Sequence, residues 1–408
     1  MSGAKASEGA GSEREVLEVR AAAARRALLA SLRERARAFG RDAAPRVEGL
    51  SEDDSARKAL ALLAEKDLLA WTVPQRDGGA DANGLCAPDT VSVRALCELR
   101  DELAWHSGML DVMFVMQGLG SYPLAKGGVD ALRKEYLPGV VRGRRIAAFA
   151  LTEPDAGSSL GEVATRAEKT ARGWRLNGAK TFISNAGIAE FYTVLARTSG
   201  AVGEGDGTLS MFLVPAGTRG LAIERFEVMA PHPIGEVRFS DVEVSADHLL
   251  GKEGGGLELA LATLGRFRTS VAAAANGFAR RALDESKARL ASRKQFGKPL
   301  STFQALRFDV AEMDVRLRAS QLLVAEAADA VDNGSKAAVE VARAKLFATE
   351  NASFVCDRAI QHFGGLGVKR GVIVERLYRD VRALRIYEGT SEIQKLVLAK
   401  KLFDAPRG

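Results

Sequence analysis

Trp174-Arg175-Leu176-Asn177-Gly178-Ala179-Lys180-Thr181-Phe182-Ile183-Ser184 is the stretch on which the architecture turns. It reads as strand, Asn-Gly turn, strand, because Asn-Gly accepts the positive φ angles of a tight hairpin. Further short apolar runs follow at Leu209 to Val214, Ala222 to Phe226 and Val237 to Ser240, separated by Gly and Pro. Short strands with no helix between them predict an antiparallel sandwich or barrel. This block, about 148–250, lies between two blocks of helical periodicity.

Upstream, from 13 to 147, apolar residues recur at three- and four-residue steps through Ala59 to Leu63 and Leu96 to Leu99. One glycine-rich loop, Val73 to Gly84, interrupts them. Downstream, from 251 to 408, a helix follows Gly254-Gly255-Gly256 and runs to about Lys294. Ser301 is expected to start the next, with Gln304 completing a capping box. Phe303, Leu306, Val310, Met313 and Leu317 form the stripe of a bundle helix. Asn333-Gly334 ends it with a left-handed cap. A third helix is expected from about Lys336 to His362, stopping at Gly364-Gly365, and a last one from Thr390 or Ser391. The small polar residues 1–12 are expected to be disordered. The fold class is therefore α+β, helical then strand then helical.

Composition removes several functions. A formal charge of +6 over 408 residues, with 6% aromatic content, argues against nucleic-acid binding. Cys86, Cys97 and Cys356 have no paired spacing, which suits reduced thiols in a cytoplasmic enzyme. His106, His232, His248 and His362 are scattered without metal-ligand spacing, so no metal site is expected and each reads as a surface or packed histidine. No apolar run is long enough to span a membrane. The arginine-rich stretch 13–47 includes Glu13, Glu15 and Glu18, so it reads as an amphipathic surface helix instead of a signal or transit peptide.

Five stretches could carry chemistry. Arg385-Ile386-Tyr387-Glu388-Gly389-Thr390-Ser391-Glu392-Ile393-Gln394 puts Glu388 on a tight loop before a helix that Thr390 or Ser391 can cap. The helix N-terminus would lower the Glu388 pKa and burial would raise it, and the sequence leaves both open. Phe149-Ala150-Leu151-Thr152-Glu153-Pro154-Asp155-Ala156-Gly157-Ser158 contains a turn at Pro154, Asp155 and Gly157. Lys180-Thr181-Phe182-Ile183-Ser184-Asn185-Ala186-Gly187 is by itself an ordinary strand end. Ser292-Arg293-Lys294-Gln295-Phe296-Gly297-Lys298-Pro299-Leu300 reads as a basic helix terminus. Gln361-His362-Phe363-Gly364-Gly365-Leu366-Gly367 is a helix C-cap; no strand precedes it, so it is not a dinucleotide fingerprint.

Together these stretches, in this order of blocks, resemble the acyl-CoA dehydrogenase family over about residues 50–405. The resemblance implies an N-terminal helical domain (13–147), a middle antiparallel β-sandwich or barrel domain (148–250) and a C-terminal four-helix bundle (251–408). It implies FAD as cofactor and α,β-dehydrogenation of an acyl thioester. Glu388 would take the α-proton, and its N–H would bind the thioester oxygen. The hydride chemistry would be the cofactor's. FAD would meet Phe149, Leu151, Thr152, Gly157 and Ser158, and then Phe182, Ile183 and Ser184, whose hydroxyl would face flavin N5. Arg293, Gln295, Phe296, Gln304, Gln361, Gly364 and Gly365 would reach the FAD of a neighbouring subunit, an Arg fork suiting phosphate oxygens. Thr390 and Glu392 complete the cofactor set. Ser158, Phe267, Arg268 and Gly389 would bind substrate.

The chain departs from the family pattern in places. Ser159 stands where Asp is usual, Phe182 where Trp is common, and Gly265 where Asp often contacts the pantetheine arm. Ala230-Pro231-His232-Pro233-Ile234-Gly235-Glu236 replaces a Gly-x-Arg-Gly-Ser-type loop. Some members, including isovaleryl-CoA dehydrogenases, carry their base at the position of Phe267, so Glu388 has no rival there. The implied partners are an acyl-CoA or carrier-bound thioester, electron-transfer flavoprotein, and three further copies in a dimer of dimers. An oxygen-using oxidase, a dehydrogenase of carrier-bound acyl groups and a non-catalytic flavin scaffold are the alternatives. A nitroalkane-oxidase-like relative would have Asp or no acid at position 388.

Overall fold

The computed structural model describes residues 5–205 and 207–403. The first helix, α1 (Lys5–Val47), buries Leu32, Ala36, Phe39, Ala43 and Val47, one stripe at helical spacing. It starts inside the stretch expected to be disordered: Lys5 to Ser12 form its opening turns, and residues 1–4 lie outside the described residues. Ser51 caps α2 (Glu52–Glu65), its Oγ accepting from Asp54 N at 3.2 Å. Next come α3 (Val93–His106), α4 (Gly108–Gly127) and α5 (Asp130–Val141). The start of α3 is capped twice. Ser92 Oγ accepts from Ala95 N, and the Asp332 carboxylate accepts from Val93 N (2.8 Å) and Arg94 N (2.9 Å). A carboxylate of the C-terminal bundle thus satisfies orphan amides of an N-terminal helix.

The middle block forms one sheet from β1 (Ala147–Ala150), β2 (Arg166–Thr170), β3 (Gly173–Ser184), β4 (Phe191–Arg197), β5 (Leu209–Pro215), β6 (Leu221–Arg225), β7 (Ile234–Ser245) and β8 (Leu249–Leu250). The order is β6-β7-β3-β2-β4-β5-β8, with β1 beside β4. Pairing is antiparallel except where β4 meets β1 and β2.

The Asn177-Gly178 hairpin does not form. β3 passes straight through both residues, and the tight turn lies earlier, at Ala171-Arg172 between β2 and β3. Asn177 is held across the sheet, accepting from Asp241 N at 2.8 Å and donating to Asp241 Oδ1 at 3.1 Å. Gly178 sits in a β-bulge at φ 145°. A Cβ there would lie 2.7 Å from Thr165 Cα, so the glycine serves close backbone approach. β2 and β7 flank β3, and their ladders override the local preference for a turn.

The C-terminal block contains α6 (Gly256–Ser292), the short hairpin β9 (Lys294–Gln295) and β10 (Lys298–Pro299), and then α7 (Gln304–Asp332), α8 (Ala338–Phe363), α9 (Ile373–Arg382) and α10 (Ser391–Phe403). The capping box expected from Ser301 is absent. Leu300 to Thr302 form a 3-10 turn, and Phe303 precedes α7 without a side-chain cap. Met313 and Leu317 of the expected stripe are buried, and Phe303, Leu306 and Val310 partly so. Gly334 (φ 78°) and Gly364 (φ 63°) end α7 and α8 in the left-handed region. The sequence reading missed α9, whose buried Val374, Leu377 and Val381 are interleaved with Glu375, Arg376, Arg379 and Asp380. Among the described residues no helix is long and apolar enough to cross a membrane.

Candidate active site

Glu388 sits between α9 and α10, where α3 and α4 of the first block meet α6 and α8 of the third. Its φ of 52° lies in the left-handed region that side-chain-bearing residues seldom adopt. Three donors hold the loop by its main chain. Arg268 Nε donates to Glu388 O at 2.6 Å, Lys345 Nζ to Gly389 O at 2.7 Å and Gln394 Nε2 to the same carbonyl at 2.9 Å. Gly389, at φ 91°, is required here: a Cβ would lie 2.7 Å from Gln394 Nε2. Thr390 caps α10, its Oγ1 accepting from Ile393 N at 3.3 Å. The strained backbone lies at Glu388 itself, and the surrounding donors hold it in place.

These donors grip carbonyls and leave the carboxyl group free. Glu388 Oε2 is shielded from solvent and has no hydrogen-bond partner among the described residues. No acceptor among those residues takes the Glu388 N–H. Burial pushes the Glu388 pKa up, and the cations Arg100, Arg268 and Lys345 oppose the shift without cancelling it. The question left open by the sequence is therefore decided for burial over the helix terminus.

Arg100 and Asp111 escaped the sequence reading. Both are buried, paired through Arg100 Nε to Asp111 Oδ1 and NH2 to Oδ2, each at 2.8 Å, while NH1 donates to Ser270 Oγ at 2.9 Å. The signal was present, since Arg100 continues the stripe of Leu96, Leu99 and Leu103. Lys345 was missed too. It is fully buried, and burial lowers its pKa to about 8. Below that pH its charge favours the Glu388 anion. Lys345→Met should therefore raise the Glu388 pKa further and move the acid limb of kcat/KM against pH to higher pH. An unmoved limb would remove Lys345 from the electrostatics of the site.

Phe267, expected near substrate, is fully buried on α6. It meets Tyr122 edge-on at 5.7 Å, and a Cβ at Gly118 would lie 2.5 Å from its ring. Phe149, Leu151 and Ile183 also have buried side chains, so only their main chain can face a ligand. Leu151 O is already taken by Lys180 Nζ at 2.9 Å, and Thr152 O by Thr181 N at 2.9 Å. Lys180 also pairs with Glu153, whose carboxylate accepts from Ala164 N and Thr165 N. This buried pair fixes the loop that carries Thr152. Gly157 and Ser158 at its tip are exposed, and a Cβ at Gly157 would meet nothing within 4 Å. A second bulge in β3, between Lys180 and Ile183, turns Phe182 to φ 54° and leaves its ring 62% exposed. Ser184 shares that open side, while Ile183 enters the sheet core.

Another group gathers at one end of the bundle. Gln295 and Phe296 lie on the β9–β10 hairpin, whose turn residues Phe296 and Gly297 have φ of 52° and 79°, and Arg293 caps α6 just before it. Phe296 is 90% exposed, and Arg293, Gln304, Gln361, Gly364 and Gly365 are exposed as well. Arg289 at the end of α6 lies over the Phe363 ring at 5.5 Å, bringing the two helix ends together. Glu392 is exposed in the first turn of α10.

Comparison with known proteins gives this arrangement a family. The acyl-CoA dehydrogenase N-terminal, middle and C-terminal domain models match residues 29–144, 148–242 and 254–403. The chain belongs to the acyl-CoA dehydrogenase family. Similar curated proteins include the 3-(aryl)acrylate reductase of Clostridium sporogenes, 36% identical over 83% of this chain and 88% of that one. Among solved structures, butyryl-CoA dehydrogenase from Megasphaera elsdenii superposes with a TM-score of 0.83 at 31% identity, covering 92% of this chain and 97% of the other. The FAD complex of PigA superposes with a TM-score of 0.82 at 27% identity, covering 92% and 97%.

This member of the acyl-CoA dehydrogenase family is an FAD flavoprotein oxidoreductase. Its residues fit that cofactor. The Phe182 ring stands open beside the Ser184 hydroxyl, the glycines at 157, 364 and 365 have free space where a side chain would project, and Glu388 Oε2 is an orphaned buried acceptor.

Proposed function

We propose that the protein dehydrogenates an acyl-CoA between Cα and Cβ to the trans-2-enoyl-CoA, with Glu388 taking the α-proton and electron-transfer flavoprotein receiving the electrons. The observation that carries this reading is Glu388 Oε2, buried with no partner among the described residues while Arg268 holds the Glu388 carbonyl and Lys345 that of Gly389. Such a group can accept a proton without first losing a hydrogen bond. The unengaged Glu388 N–H suits the thioester oxygen, where negative charge grows as the α-proton leaves. Gly389 and Arg268 hold that loop, Phe267 closes one wall, and Ser158 stands exposed for the carrier arm. When bound, FAD supplies the acceptor for the β-hydride.

In the same reading Thr152, Gly157, Ser158, Phe182 and Ser184 hold the isoalloxazine end, with main-chain groups of Phe149, Leu151 and Ile183. Thr390 and Glu392 border it from α10. Arg293, Gln295, Phe296, Gln304, Gln361, Gly364 and Gly365 reach into the cofactor of a neighbouring copy, which accounts for so many exposed residues at one end of one chain. Phe308, Val315 and Leu322 recur at every seventh residue on the exposed side of α7 and are the apolar seam of a dimer of dimers. Arg293→Ala should lose FAD and assembly together, read as flavin content and oligomeric mass in one chromatographic run. Full flavin in a wild-type-sized assembly would place Arg293 outside the cofactor site.

Anaerobic titration of the purified protein with a panel of acyl-CoA thioesters tests the central reading through bleaching of the flavin band. If neither CoA nor carrier-protein thioesters bleach it, the dehydrogenase reading fails. Peroxide release under air would replace the flavoprotein partner with oxygen. The similarity to an aryl-acrylate reductase favours a second reading, the same site run in reverse, with protonated Glu388 delivering the proton to Cα. The raised Glu388 pKa suits that direction too. The direction of net turnover discriminates: steady consumption of enoyl-CoA with a reduced electron donor supports the reverse reading, and steady consumption of acyl-CoA with an oxidised acceptor supports the forward one.

A further inference from the structure

We propose that His232 is a positioning residue that fixes the Ser184 hydroxyl so that its hydrogen points to the imidazole and its lone pairs face the flavin slot. The inference rests on the cofactor reading above. His232 Nδ1 lies 2.8 Å from Ala230 O. A carbonyl only accepts, so Nδ1 carries the ring hydrogen and the neutral imidazole has its lone pair on Nε2. Ser184 Oγ lies 3.1 Å from Nε2. In that pair only the hydroxyl can donate. Burial and the nearby Arg225 guanidinium both disfavour a second proton on the ring.

The loop is built to hold this geometry. Pro231 and Pro233 flank His232 and restrict the backbone on both sides. Asn185 N donates to Pro233 O at 2.7 Å, tying the loop to the residue after Ser184. Arg225 Nε donates to Ile234 O at 3.0 Å, and Arg379 NH1 to Met229 O at 3.0 Å, so both ends are pinned. This is the segment whose sequence departs from the family pattern.

The chemical consequence concerns flavin N5. Oxidised flavin offers a lone pair there and reduced flavin an N–H. A hydroxyl restricted to accepting favours the reduced ring, so His232 makes the bound flavin easier to reduce. The test is a spectrophotometric redox titration of the FAD-loaded protein against a reference dye, without acyl thioester. His232→Asn keeps an amide N–H for Ala230 O and loses the acceptor for Ser184. His232→Gln places an amide oxygen where Nε2 was.

H232N is expected to lower the reduced-to-oxidised ratio at a given potential about five-fold, one ordinary hydrogen bond, or about 20 mV for a two-electron couple. S184A should shift it in the same sense, the double variant should match S184A, and H232Q should recover the wild-type value. An unchanged ratio in H232N, or a double variant that adds the two shifts, overturns the proposal. If H232N does not retain FAD, H232Q decides: wild-type potential supports the proposal, and a value as low as S184A overturns it. A wild-type protein that holds no FAD would instead sink the cofactor reading itself.

Discussion

Glu388→Gln is expected to lower the rate of flavin reduction by acyl-CoA about a thousandfold or more, the scale of a lost general base, while FAD stays bound. Gln keeps the shape of the side chain but cannot take a proton. The contacts that hold the loop, Arg268 to Glu388 O and Lys345 and Gln394 to Gly389 O, all go to carbonyls and survive the substitution. The fold should not suffer either. Burial already disfavours the Glu388 anion, so a neutral amide removes a desolvation cost. Stopped-flow reduction under nitrogen, with a thermal melt of the same sample, checks both halves. Reduction within tenfold of wild type would mean that another group takes the proton.

The second large effect is on stability. Arg100→Met should cost about 3–5 kcal/mol, because it strands the Asp111 carboxylate in a buried site. Arg100 and Asp111 side chains are 1% and 5% exposed, so water cannot replace the lost guanidinium. Arg100→Met with Asp111→Leu should regain most of the loss, since removing both charges also removes their desolvation cost. Urea melts of the three proteins give the comparison. A single variant as stable as the double one would show that Asp111 finds other partners. The single variant should also raise the Glu388 pKa, because Arg100 is the largest of the cations favouring its anion.

Much of the fold was legible because periodicity and punctuation are local. The stripe of α7, the glycine ends of α7 and α8 and the start of α10 all follow from residues within a few positions of one another. The misreadings have one cause. Asn177-Gly178 carries hairpin chemistry, yet β2 and β7 hold both sides of β3 and convert the pair into a bulge. The Ser301 capping box lost to a 3-10 turn that closes the hairpin before α7. α9 was hidden because its three apolar contacts are interleaved with charges whose partners lie elsewhere in sequence.

The candidate site divides the same way. Glu388, the Thr152 loop, Ser184 and the Arg293 hairpin could be named from local motifs. Lys345 and His232 could not, because each acts across more than forty residues of chain, Lys345 on Gly389 and His232 on Ser184; Arg100 and Asp111 pair across eleven residues, but only the packing brings them to Glu388. The sequence by itself determined the order of helical and strand blocks and the identity of the acid in the loop before α10. Only the tertiary structure decided that this acid is shielded from solvent, ringed by cations and, among the described residues, left without a partner, because burial and charge at a point are set by everything packed around it.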